Sequence, residues 1–143
     1  MLSISRKVRV GVIGAGRIGR THLENLAHKV IKVELAAVSE IAFAEAEKCA
    51  KEHAIPVAVR DYRAQLENRD IEAILICSSS DTHAWIVEEA AGRRKDIFCE
   101  KPVAFDLAVI DRALAAVKKA GVKPQVGFNR RFDANNANVA EIA

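Results

Sequence analysis

Aromatic residues are scarce in this 143-residue chain: 5% are Phe, Trp or Tyr. That is too few for a base-stacking platform, and no segment gathers five or six like charges, so no nucleic-acid partner is expected. The net charge of +3 is thinly spread; the nearest basic patch, Arg93-Arg94-Lys95, falls at the end of an expected helix, where cations complement the dipole. No uncharged apolar run approaches the ~20 residues that cross a bilayer, and the opening MLSISRK lacks the apolar stretch of a secretion signal. No membrane association is expected, and a cytoplasmic location is. Cysteine is also sparse: Cys49, Cys77 and Cys99 are odd in number, far apart and set in apolar segments. They read as reduced buried thiols, and without a Cys-x-x-Cys no metal site is expected. Low-complexity tracts, internal repeats and Pro/Gly-rich linkers are absent too.

What remains is rich in small and branched apolar residues, half the chain being apolar, enough for one domain with a sizeable core. Short apolar runs recur at Val8–Ile13, Val33–Val38, Ile55–Val59, Ile71–Cys77, Asp96–Glu100 and Pro124–Phe128, each reading as a strand buried on both faces. Helical spacing fills the gaps. Gly19, Leu23, Leu26, Ala27 and Val30 share one face, as do Ala42, Ala46, Cys49, Ala50 and His53, and Leu107, Ile110, Leu114 and Val117. Asp106 offers an N-cap and Gly121 a stop for the last of these helices. Only a short helix fits between Asp61 and Asp70. Alternating strands and helices with right-handed crossovers predict an α/β fold, a doubly wound parallel sheet of the Rossmann type.

The chemistry concentrates where strands end. Gly14-Ala15-Gly16-Arg17-Ile18-Gly19 is a G-x-G-x-x-G turn between the first strand and first helix. Gly14 permits the tight turn, Gly16 admits a pyrophosphate, Gly19 lets helix and strand pack, and the helix N-terminus supplies free N–H groups. Glu40, 21 residues past Gly19, ends the second strand, where a carboxylate accepts from ribose hydroxyls and repels a 2′-phosphate; NAD is therefore expected over NADP. The bland reading of Glu40 is a solvated residue at a helix start. Ser78, Ser79, Ser80, Asp81, Thr82 and His83 leave the fourth strand on the ligand-binding edge, Asp81 or Thr82 also being able to cap the next helix. His83 taken alone reads as a packing or surface histidine. Glu100-Lys101-Pro102 ends the fifth strand; the pair is an everyday ion pair in isolation, but in that crevice an ammonium would assist proton transfer from a substrate hydroxyl.

In this order, with Gly127-Phe128-Asn129-Arg130-Arg131-Phe132-Asp133 following, the motifs resemble the glucose–fructose oxidoreductase and inositol dehydrogenase family, and most of all its inositol 2-dehydrogenase branch. The resemblance implies a Rossmann domain over residues 1–128, with 129–143 leading toward a larger second α/β domain beyond this chain. It implies that Lys101 is the catalytic lysine, that Glu100 and Ser78 to His83 contact the cofactor, that Asn129, Arg130 and Arg131 adjoin the substrate, and that Lys101–Pro102 is cis. An Asp and a His of the second domain complete the family's catalytic set. Glu40 stands where the family more often has Asp, and Ser80-Asp81 where it often has Pro-Asn or Pro-Thr. The expected function is NAD-dependent oxidation of a polyol or sugar, with self-association through exposed apolar surface. A non-catalytic NAD-sensing module and a Rossmann reductase of another subfamily are the alternatives.

Overall fold

A computed structural model describes residues 6–132; the foreseen connection at 133–143 lies outside them. Six strands, β1 (Val8–Ile13), β2 (Val33–Ser39), β3 (Val57–Val59), β4 (Ala73–Ile76), β5 (Asp96–Glu100) and β6 (Pro124–Gly127), alternate with helices α1 (Arg17–His28), α2 (Phe43–Glu52), α3 (Arg63–Glu67), α4 (His83–Gly92) and α5 (Leu107–Ala120). All neighbours pair in parallel, in the order β3-β2-β1-β4-β5-β6. The order reverses between β1 and β4, which opens a crevice at the carboxyl edge of the sheet.

Alternation along the central strands feeds two cores. Val10 and Val12 of β1, with Leu75 and Cys77, pack under α1 and α2 against Leu23, Ala46 and Cys49. Ile13, Ile74 and Ile76 face the other way, toward Ile86, Ala90, Ala113 and Val117. All three cysteines are free and buried. Burial pushes each thiol above its ordinary range, Cys99 to about 12, with the Glu100 carboxylate adding to the effect on Cys77 and Cys99.

The edges depart from the expectation of burial on both faces. β3 is only half-buried and β6 is exposed over its first two residues, because an edge strand has one neighbour. Pro124, which cannot donate to a ladder, sits at such a start. In α5 the expected stripe is rotated. Ala113 and Val117 are buried, whereas Leu107 and Leu114 are 79% and 46% exposed. Small residues let α5 settle close on α4, and its leucines are left on the outside. Val30 lies beyond the end of α1 and is exposed. The caps of α5 are as expected: Asp106 accepts from Val109 N–H and Gly121 adopts a left-handed conformation at φ 68°.

Arg93-Arg94-Lys95 follows the end of α4, as expected, with Arg93 as its C-cap. Arg93 reaches Glu67, and Lys95 is buried, donating from Nζ to the carbonyls of Asn68 (2.6 Å) and Ile71 (2.7 Å). Asn68 is the C-cap of α3, so this cation meets a helix end of a different element. Burial holds the Lys95 ammonium below the usual lysine range, yet losing it takes a donor from the buried Ile71 carbonyl and leaves the Asn68 carbonyl with Ile71 N–H alone. Lys95→Met should therefore destabilise the fold by about 1–3 kcal/mol, and thermal denaturation should register a fall in Tm of roughly 3–9 °C.

Candidate functional site

The turn after β1 is built by close approach. Gly14 has φ 97°, and a Cβ there would lie 2.5 Å from the Cys77 carbonyl oxygen; a Cβ on Gly19 would lie 1.9 Å from the Gly14 carbonyl oxygen. Only glycine fits at either position. At Gly16, by contrast, a Cβ would meet nothing within 4 Å. That space lies beside the first turn of α1, whose leading N–H groups have no partner within the helix. Arg17 and Ile18 are exposed on that turn.

Glu40 closes one side. Its Oε2 accepts from Ala15 N–H at 2.8 Å and its Oε1 from Ile41 N–H at 2.8 Å. The carboxylate thus lies across the lip of the glycine turn rather than free in solvent. A crevice of about 820 Å³ runs from Gly14, Gly16 and Glu40 past Ser78, Ser79 and Asp81. Its far wall holds Tyr62, Arg63 and Trp85, which sequence reasoning missed. Glu89 ties these three together: Tyr62 Oη and Trp85 Nε1 each donate to it at 2.8 Å, and Arg63 donates through two nitrogens. Burial opposes its charge, but the three donors hold the Glu89 carboxyl below its ordinary range. The Tyr62 hydroxyl is pushed up to about 12 by burial and then by Glu89. The position of Asp61 to Arg63, just past the carboxyl end of β3, was the available signal.

On the other side of the switch point, two histidines join segments distant in sequence. His83, foreseen as a cofactor contact, is 2% exposed. Its Nδ1 lies 2.8 Å from the Pro102 carbonyl and its Nε2 2.9 Å from the Ser78 carbonyl. The ring does not face the crevice; it pins the β4 loop to the β5 loop from beneath. His22 of α1 places Nε2 2.8 Å from Glu100 Oε1 and packs edge-on against Phe98. Glu100 is thereby held by α1 as well as by β5, while its Oε2 accepts from Lys101 N–H at 3.2 Å. Gly127, in register with Glu100, leaves room for that side chain. The Lys101–Pro102 peptide is cis, and Lys101 is exposed at the crevice edge of the sheet.

Ser80, Asp81 and Thr82 form a 3-10 turn. No side chain caps α4, contrary to the capping reading of Asp81 and Thr82. Thr82 Oγ1 instead donates to the Ser79 carbonyl at 2.7 Å and lies 2.8 Å from Ser78 Oγ, stiffening the loop itself. Asn129, Arg130 and Arg131 occupy an exposed 3-10 turn after β6. A second hollow, of about 680 Å³, opens at the amino edge among Arg6, Arg9, Glu34, Asp70 and Glu72. There Arg9 faces Glu34 and Asp70 at 3.3 and 3.7 Å, and the hollow is remote from the glycine turn.

Residues 8–128 match the model of the Gfo/Idh/MocA oxidoreductase family, described as an NAD-binding Rossmann fold. The chain belongs to this family. It is 43% identical over 139 residues to an uncharacterized oxidoreductase of Bacillus subtilis and 38% identical over 134 residues to a myo-inositol 2-dehydrogenase of Thermotoga maritima. Those matches cover 97% and 94% of this chain and 40% of each relative. Among solved structures, scyllo-inositol dehydrogenase from Lactobacillus casei, determined with NAD(H) and scyllo-inositol, superposes with a TM-score of 0.86 at 31% identity, over 90% of this chain and 38% of that one. The chain thus spans about 40% of the length of the curated relatives it matches. As a family member it has NAD as its cofactor, and the bare space at Gly16 beside the start of α1 fits a pyrophosphate.

Glycine substitutions separate folding from binding here. Gly16→Ala should leave Tm nearly unchanged but weaken NADH binding roughly tenfold or more, since the methyl enters the space a pyrophosphate needs. Gly19→Ala should lower Tm as well, because helix and strand must part. Thermal melts paired with NADH fluorescence titrations of both variants check this.

Proposed function

We propose that this chain is the nucleotide-binding part of an NAD-dependent dehydrogenase that oxidises a ring hydroxyl of a polyol or sugar, of the inositol 2-dehydrogenase kind. The observation that carries the reading is the crevice lined by the open Gly16 turn, the Glu40 carboxylate and Ser78 and Ser79, with the Lys101 loop following β5 at the same carboxyl edge of the sheet. Residues 1–128 make up the nucleotide-binding unit, and Asn129, Arg130 and Arg131 begin the substrate side.

Each residue has a distinct task in this reading. The free N–H groups at the start of α1 hold the pyrophosphate. Glu40 exchanges its bond to Ala15 N–H for the adenosine ribose hydroxyls, and Ser78 and Ser79 line the path toward the nicotinamide. NAD, when bound, supplies the hydride acceptor. Lys101 places its ammonium against the reacting hydroxyl and favours loss of its proton. Glu100, held by His22, and Pro102, held by His83, keep that lysine at the crevice mouth. The resemblance assigns the proton acceptor to a histidine of the family's second domain, and residues 129–143 contain no histidine. Phe105, Leu107, Phe128 and Phe132 follow the carboxyl ends of β5 and β6 and are 60–82% exposed. Such a set suits packing against a further domain or a second copy. Buried free thiols suit a reducing compartment such as the cytoplasm.

The 143-residue chain should bind NADH, read by fluorescence titration, while oxidising myo- or scyllo-inositol with almost no turnover. Absence of NADH binding overturns the nucleotide role, and turnover comparable to a complete inositol dehydrogenase overturns the division of labour. Glu40→Ala combined with Ile41→Arg should move preference toward NADPH, since a repelling carboxylate is replaced by a phosphate partner. An unchanged ratio of NADH to NADPH affinities would place Glu40 away from the ribose.

A further inference from the structure

Helices α1 and α2 both start at the crevice edge and run antiparallel to their strands, so their carboxyl ends meet at the opposite edge of the sheet. His28 is the last residue of α1 and His53 is the C-cap of α2. Glu24 lies one turn before His28 on the same helix face. The three side chains converge: Glu24 Oε2 is 3.6 Å from His28 Nε2 and 3.8 Å from His53 Nδ1, and one ligand atom from each lies within 4.8 Å of the others.

Two features distinguish this cluster from a chance meeting of surface charges. Neither distance is a hydrogen bond, so the carboxylate and the rings face one another without satisfying one another. The His53 side chain is only 9% exposed, and its Nδ1 is buried with no hydrogen-bond partner among the described residues. A buried imidazole nitrogen left bare is costly, and an atom bound there removes the cost. Glu24 and His28 are about 60% exposed, which leaves an entrance and room to adjust.

We propose that Glu24, His28 and His53 bind a divalent transition-metal ion of the zinc type, which staples the carboxyl end of α1 to that of α2. Two imidazoles and one carboxylate are a zinc donor set, whereas Mg²⁺ and Ca²⁺ select oxygen ligands. A tetrahedral ion with bonds of ~2.0–2.1 Å holds its ligands ~3.3 Å apart. Small rotations of the exposed Glu24 and His28 side chains about a fixed His53 reach that spacing. The carbonyl ends of both helices add favourable potential for a cation. Because the site is at the far edge from the Gly14–Gly19 turn, its role is to stabilise the fold, independently of NAD binding.

The chain, stripped with a chelator and dialysed, is titrated with Zn²⁺ and followed by thermal denaturation, with Co²⁺ absorption reporting the ligand field. The expected result is one Zn²⁺ per chain and a Tm rise of roughly 5 °C when free Zn²⁺ is about ten times its dissociation constant. His28→Gln and Glu24→Gln, both at exposed positions, should keep the metal-free Tm and NADH affinity yet bind Zn²⁺ roughly tenfold more weakly or worse; His53→Gln should abolish binding. An equal shift with Mg²⁺, or Zn²⁺ affinity unchanged in His28→Gln and Glu24→Gln, overturns the site.

Discussion

The closest backbone approach in the site lies where the first turn of α1 meets the end of β1, and the rest of the crevice follows from it. With hydrogen in place of Cβ at Gly19, the helix comes down onto the Gly14 carbonyl. Its amino end then stands directly over the carboxyl edge of the sheet. That single contact aims the free N–H groups of α1 into the gap between β1 and β4. It also brings Ala15 N–H within reach of Glu40 on β2 and carries His22, one turn further along α1, to Glu100 on β5.

The carboxyl edge is consequently one connected set rather than a row of independent loops. Glu40 ties β2 to the glycine turn, His83 ties the loop after β4 to the loop after β5, and His22 ties β5 back to α1. Arg20, bonding the Ala15 carbonyl through Nε and the carboxylates of Glu45 and Glu52, adds a link to α2. Groups fixed this way are already oriented for a ligand and need little ordering when it arrives. The amino edge carries ties of its own, Arg9 meeting Glu34 and Asp70, and its most unusual feature is the bare His53 nitrogen where two helix ends converge.

Much of this was legible in the sequence, because the relevant physics is local. A strand buried on both faces must be apolar at nearly every position, so β1 and β5 could be bounded to the residue from their runs alone. Glycine spacing announces a turn that only glycine can make, and the Asp106 and Gly121 caps are chemistry within one turn of helix. The resemblance to a family, resting on four motifs in register, implied the cis bond before Pro102 that the structure has.

Tertiary structure decided whatever depends on which surfaces meet. A run that reads as buried becomes half-exposed when it ends up on a sheet edge, as β6 does. Periodicity puts Leu107, Ile110, Leu114 and Val117 on the apolar face of α5, yet packing on α4 buries Val117 together with Ala113 and leaves both leucines outside, because periodicity cannot tell which of two overlapping apolar stripes a neighbour will cover. His83 became an internal tie, Lys95 a cap for a helix 27 residues away, and Glu89 an anchor for three crevice residues. His83 to Pro102, Lys95 to Asn68 and Glu89 to Tyr62 join positions 19 to 27 residues apart, and His22 to Glu100 joins positions 78 apart. Strand register and helix docking bring them together, and neither composition nor spacing along the chain records that.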